Sequence, residues 1–291
     1  MNFYDFEPGM PALGRMFTAA AGRWIAARRQ RQPYRLFTDG IGYIDQQIAA
    51  DGLFEKGLVE LMLDMARRHG KSALYIDIGA NIGNHLVAAA PHFEKAVGFD
   101  PHPVLFHVLT ANVMANQLRN VELHNVGLAA ADSEATLIES AANHGLSRVK
   151  EHSRLSADTF GLKEDQFGLE HKIRLVDACE FLGRYGSMLD AALIKIDVEG
   201  MEFEILKAIR PLLERHRPVV AFEWFHHEQP EIAPLLAELT GYQAHGAFIR
   251  QPANAVARLA KNLFRGRRYE LEDIAAAHTP RYYPLVFLVP R

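Results

Sequence analysis

Four acidic residues each close an apolar run: Asp77 in ALYIDIG, Asp100 in KAVGFD, Asp197 in ALIKID and Glu223 in PVVAFE. If these runs are parallel strands, their carboxyls share one sheet edge. Carboxylates gathered there repel unless a cationic ligand, a metal or a basic side chain compensates them. Lys195 lies two residues before Asp197 on the same strand face and can neutralise it. Such an edge can bind a positively charged ligand, accept bonds from hydroxyls, or take a proton from one. His85, His102, His226 and His227 form a rival set of bases, since histidine titrates nearer neutral pH than an unshifted carboxylate. The run His226-His227-Glu228 lacks a ligand spacing such as H-E-x-x-H, and no resident metal is expected. Carboxylates at 197, 199 and 223 would nonetheless suit Mg²⁺.

The first run continues into a turn, ALYIDIGANIG over Ala73–Gly83. Gly79 and Gly83 allow turn geometry and close approach, and Asn81 can hold the turn through its own backbone bonds. The spacing D-x-G-x-x-x-G is not the dinucleotide fingerprint G-x-G-x-x-G, because Asn81 stands where a glycine would let a pyrophosphate approach. A nucleoside ligand without that diphosphate is therefore favoured. Asp100 follows about twenty residues after Asp77, one crossover unit later, where an acid accepts bonds from ribose hydroxyls. Gly127 and Ala129–Ala131 leave room for an adenine plane. S-adenosylmethionine meets these demands together: adenosine, a charged amino-acid tail, a sulfonium and no phosphate. Methyl transfer from it is largely a matter of positioning, and a hydroxyl acceptor also needs a base.

The elements that must place these residues follow from periodicity. Runs over 73–78, 95–100, 121–126, 191–197, 218–223, 242–249 and 283–289 predict seven sheet strands, most joined by helices. Helices are expected over 11–32, 54–69, 82–90, 103–117, 201–213 and 231–239. Residues 41–45 read as a hairpin or short strand. Ala135–Glu139 and Ile173–Val176 read as further strands around a long polar stretch, a substrate loop near 140–172. The 291 residues, 49% apolar, suffice for one large α/β domain. The domain boundary is expected near residue 70, with a helical extension over 1–70 and the catalytic domain over 71–291. A formal charge of −3 gives no overall pull towards nucleic acid. The arginines at 15, 23, 28, 29, 31 and 35 make the first segment basic, read first as a helix capping the domain and second as a surface for a peripheral membrane or protein contact. Cys179 is the single cysteine, so there is no internal disulfide; a cytoplasmic enzyme is expected, with nucleic acid an unlikely partner.

The segments YIDIGANIGNH, AVGFDPHP, LIKIDVEGMEFEILK and PVVAFEW resemble those of the FkbM-type methyltransferases, over about Phe54 to Phe225. KIDVEG-x-E is the most specific of them. The resemblance implies a Rossmann-like class I methyltransferase fold, α/β, with a seven-stranded, mostly parallel sheet. It implies S-adenosyl-L-methionine as methyl donor and a hydroxyl acceptor, often on a sugar or natural product. It implies cofactor contacts at Asp77, Gly79, Asn81, Gly83 and Asp100, and places Asp197 and Glu199 on the acceptor side. As base, Asp197 and Glu199 rank first, then Glu223. Such proteins commonly carry Glu where Asp100 stands; either acid can take ribose hydroxyls. A nicotinamide-dependent oxidoreductase and a catalytically silent binding module remain as alternatives.

Overall fold

The computed structural model describes residues 33–38, 43–140, 147–155, 167–249, 269–274 and 282–291. The basic segment over 11–32 lies outside them. The core is an eight-stranded sheet. In chain order its strands are β1 (Leu74–Ile78), β2 (Lys95–Phe99), β3 (Val121–His124), β8 (Ala192–Ile196), β9 (Val219–Phe225), β10 (Tyr242–Phe248), β11 (Glu270–Asp273) and β12 (Tyr282–Pro290). Their spatial order is β11-β10-β12-β9-β8-β1-β2-β3. The five strands from β9 to β3 run parallel, and β12 enters antiparallel between β9 and β10. All seven expected strands are present. β11 is an added edge strand, and its sequence ELED has too little apolar character to announce itself.

Burial on both faces explains the apolar runs. Leu74, Ile76 and Ile78 of β1 pack on one side with Ile194, Ile196, Val220 and Phe222. Tyr75 packs on the other with Ala96, Leu193, Val219 and Ala221. Helices cover these faces: α1 (Tyr43–Asp51), α2 (Lys56–Arg68), α3 (Asn84–Ala89), α4 (Pro103–Ala115), α5 (Ala178–Gly183), α6 (Glu202–Ala208), α7 (Arg210–His216) and α8 (Ile232–Glu238). After β1 the chain builds outwards through β2 and β3, then returns to add β8 on the other flank of β1. The strand order thus reverses at β1, and the carboxyl ends there form the crevice where open α/β sheets take their ligands.

Three expectations are corrected. Residues 43–45 open helix α1 instead of a strand; Ile44 and Ile48, one helical turn apart, pack with Ile82 and Leu105. A five-residue run with three β-forming residues, Ile41, Tyr43 and Ile44, cannot distinguish the two periods. The helix expected over 201–213 is two helices, broken at Ile209, because Pro211 supplies no N–H to continue the first. The polar stretch near 140–172 is strand in part. With β4 (Gly127–Ala129) and β5 (Ser133–Ser140), its β6 (Arg148–Val149) and β7 (Phe167–Asp177) make a second sheet of order β4-β7-β5-β6. β7 thus begins six residues before the expected strand at Ile173, where the polar pattern EHK hides it.

Candidate active site

At the switch point the chain encloses a cavity of about 320 Å³, at the lower end of the range typical of small-molecule sites. Gly79, Asn81 and Asp100 line it, as do Asp197, Glu199 and Glu223. The second sheet contributes Leu128, Leu137, Val149 and Leu175 to the same wall. Two expected contacts, Asp77 and Gly83, are not on this wall. The register of β1 with β8 sets Asp77 opposite Lys195, and its fully buried carboxyl is held there instead of facing out. Gly83, at φ 85°, caps α3, and a Cβ on it would press on Leu109.

The turn after β1 is fixed by backbone contacts. The Gly79 and Ala80 N–H groups both donate to the Phe99 carbonyl, at 2.9 Å. Gly79 has φ 81°, and a Cβ there would lie 1.8 Å from the carbonyl oxygen of Asp197. Asn81, also left-handed at φ 52°, donates its N–H to Asp100 Oδ2 at 2.7 Å. Its own Oδ1 accepts from the Ile82 N–H at 2.7 Å. Asp100 Oδ1 accepts from the His102 N–H at 2.9 Å. Burial outweighs these bonds and pushes the Asp100 carboxyl up to about 7. If it takes ribose hydroxyls, affinity for S-adenosylhomocysteine should rise with pH as Asp100 ionises through about 7. Asp100→Asn should flatten that dependence and weaken binding about tenfold, the worth of a hydrogen bond to a charged group. Calorimetry across pH checks both; unchanged affinity in the variant would remove the ribose assignment.

Lys195 organises the other side. Its Nζ lies 3.1 Å from Asp77 Oδ1 and 3.1 Å from Asp197 Oδ2. Burial pulls the ammonium down, but the two carboxylates outweigh it and hold Lys195 above the ordinary lysine range. Burial raises the Asp197 carboxyl, yet Lys195 and His85 keep it below the usual carboxylate range. Glu199 and Glu223 are pushed well above that range by burial and then by the charge of Asp197. The three carboxyls bring oxygen atoms within 4.8 Å of one another. Tyr282, from β12, donates its hydroxyl to Glu223 Oε1 at 2.6 Å. His85 also lines the cavity, but burial and then Lys195 press it down to about 3, which makes it a weak base. His102 lines the cavity as the N-cap of α4, whereas His226 and His227 do not line it.

Among the described residues, two groups place ligand-type atoms within 4.8 Å: Asp197, Glu199 and Glu223, and His102, Glu139 and His171. The run from His226 to Glu228 is not one of them.

Sequence reasoning missed several residues. Ile44, Phe54, Glu55 and Tyr282 reach the cavity from distant parts of the chain. Glu202 had a signal, being the last letter of KIDVEG-x-E. It is 1% exposed and accepts the Val198 N–H at 3.0 Å and the Gly200 N–H at 3.1 Å. Gln229, wholly buried, donates Nε2 to the same carboxylate at 2.6 Å. Glu202 therefore holds the turn that presents Asp197 and Glu199. Glu202→Ala should lower the unfolding free energy by about 2–3 kcal/mol by leaving buried donors unmatched, read by denaturant titration. A loss below about 0.5 kcal/mol would show that solvent or the backbone replaces those bonds.

A reversing parallel sheet, a glycine turn without a diphosphate seat and an acid ending the second strand define a class I S-adenosylmethionine-dependent methyltransferase. Residues 77–249, more than half the chain, match the Methyltransferase FkbM domain. The chain belongs to that family and is an enzyme of S-adenosylmethionine-dependent methyl transfer, which sets aside the nicotinamide and the catalytically silent alternatives.

Among curated proteins, none matches it by sequence. Among solved structures, methyltransferase FkbM from Methylobacillus flagellatus KT is 14% identical, over 94% of this chain and 60% of that one, with a TM-score of 0.43. Precorrin 8W decarboxylase from Methanobacterium thermoautotrophicum is 14% identical, over 81% and 90%, at 0.42. An rRNA methylase from Streptococcus thermophilus is 13% identical, over 81% and 97%, at 0.40. The expectation that nucleic acid is an unlikely partner is not kept: the similar solved structures include an rRNA methylase and a tRNA (m1A58) methyltransferase.

Proposed function

We propose that the enzyme methylates a hydroxyl oxygen of a sugar or small natural product. The supporting observation is the convergence of Asp197, Glu199 and Glu223 within 4.8 Å beside the cavity that Gly79, Asn81 and Asp100 also line. The residues present suit the methyl donor. Asp100 lines the cavity and offers its carboxylate to ribose hydroxyls, and the acidic wall of Asp197, Glu199 and Glu223 tolerates a cation. S-adenosylmethionine, when bound, supplies an activated methyl group.

The chain's own residues supply the rest. A hydroxyl is a poor nucleophile until its proton is taken, and the best base has a pKa near the working pH. Burial and then the charge of Asp197 raise the Glu223 carboxyl above the ordinary carboxylate range and make it the stronger base, whereas Lys195 keeps Asp197 ionised and weakly basic. Of the candidates read from sequence we take Glu223 as the base, with Glu199 beside it raised in the same way and Asp197 providing fixed negative charge. Tyr282 orients Glu223 by its short hydrogen bond. The division into an N-terminal extension and a catalytic domain from residue 71, and action in the cytoplasm, belong to the same proposal. Among the described residues no helix is long and apolar enough to cross a membrane.

The test is incubation of the purified protein with methyl-labelled cofactor and three pools: hydroxylated metabolites, soluble glycans and total RNA. Label on an oxygen in either of the first two supports the proposal. Label only on RNA bases, or on nitrogen, overturns it.

A further inference from the structure

The second sheet carries a buried carboxylate that the reaction does not use. Glu139 is 5% exposed on β5. Its neighbour on the same face, Leu137, stands opposite His171 of β7, which makes Glu139 and His171 a diagonal pair within reach of long side chains. His171 Nε2 lies 2.8 Å from Glu139 Oε2. The same oxygen is 3.3 Å from Nε2 of His102, itself 3% exposed. At its other nitrogen, Nδ1, His102 accepts the N–H groups of Val104 at 3.2 Å and Leu105 at 3.3 Å. A ring nitrogen that accepts N–H bonds bears no proton, so the proton of the neutral ring sits on Nε2, towards Glu139. The His102 ring is thus hydrogen-bonded at Nδ1 and has the Glu139 carboxylate 3.3 Å away at Nε2 as a charge contact, and its peptide N–H is the one that donates to Asp100 Oδ1.

We propose that Glu139 is a positioning residue for the cofactor: through His102 it fixes the carboxylate of Asp100 for the ribose hydroxyls. The second sheet then sets the affinity and the sugar discrimination of the nucleoside end. This rests on the assignment of Asp100 to the ribose. A metal held by His102, Glu139 and His171 is the competing use of these atoms. It would need His102 to ligate through Nε2 while Nδ1 still accepts from α4, leaving the ring without a proton, which a neutral imidazole does not allow.

The test is calorimetry of S-adenosylhomocysteine and its 2′-deoxyribose analogue with the wild type, Glu139→Gln, Glu139→Asp, His171→Gln and Asp100→Asn. The wild type should prefer the ribose form by about tenfold, the scale of one hydrogen bond to a carboxylate. Glu139→Gln should bring that ratio below about threefold, with Glu139→Asp recovering part of it. His171→Gln gives the same readout should Gln at 139 prevent folding. A merely structural role would weaken both ligands alike and leave the ratio unchanged, and that result overturns the proposal. A ratio unchanged in Asp100→Asn as well would sink the ribose assignment itself; a ratio lost there but kept in Glu139→Gln and His171→Gln sinks only the relay. Zn²⁺ bound tightly by the wild type and lost in His171→Gln would replace the relay by a metal centre.

Discussion

Lys195→Met is expected to lower the unfolding free energy by about 3–5 kcal/mol, the usual loss when one partner of a buried ion pair is removed. Lys195 and Asp77 have side-chain exposures of 2% and 0%, so neither charge can turn to solvent. Methionine fills similar volume, and the loss therefore reports the stranded carboxyl. The effect should depend on pH. Burial already raises the folded-state pKa of Asp77 despite Lys195, and loss of the ammonium raises it further. An acid whose folded pKa lies above its unfolded value penalises the fold as pH climbs from the ordinary carboxylate range through that raised value. Lys195→Met should therefore be most destabilised near pH 8 and recover towards pH 5. The double variant Asp77→Asn with Lys195→Met should regain more than half of the loss. Chemical denaturation at the two pH values measures all of this. A single-variant loss under about 1 kcal/mol would mean that water reaches Asp77.

The second large effect is on turnover. Glu223→Gln should reduce kcat by about 10²–10⁴, the range for a general base, while affinity for S-adenosylhomocysteine stays within about threefold. A base with a raised pKa loses activity when protonated, so wild-type kcat should fall on the acid side at a pH well above the ordinary carboxylate range. Tyr282 holds the Glu223 pKa down by donating its hydroxyl. Tyr282→Phe should consequently move the acid limb to higher pH. An acid limb unmoved by Tyr282→Phe, together with near-normal kcat in Glu223→Gln, would transfer the role to Glu199.

What could be seen in the sequence divides along physical lines. The strands of the main sheet were legible because burial on both faces leaves little but apolar residues, as in Leu74–Ile78 and Ala192–Ile196. The turn at Gly79 and the acid at Asp100 were legible because they are local. β7 was half hidden: its residues 168–170 are exposed, Leu169 at 63%, so no alternation marks them. Asp77 was misplaced because strand-end position says nothing about which neighbour claims the side chain; the pairing of β1 with β8 decides that. Glu139 and Tyr282 gain their roles only from partners far along the chain, Glu139 from His102 and Tyr282 from Glu223.

The contact of Gly79 with the Asp197 carbonyl bears on how such an enzyme can diversify. Main chain packs on main chain there, and the Asp197 N–H also donates to the Ile78 carbonyl at 3.0 Å. Mutation alters side chains, so it has almost nothing to adjust at that seam. Ile44, on α1, and Phe54, in the turn before α2, line the same cavity through their side chains, which mutation can vary in size and polarity. Drift and directed evolution alike should find new acceptors readily there, and a new methyl donor hardly at all.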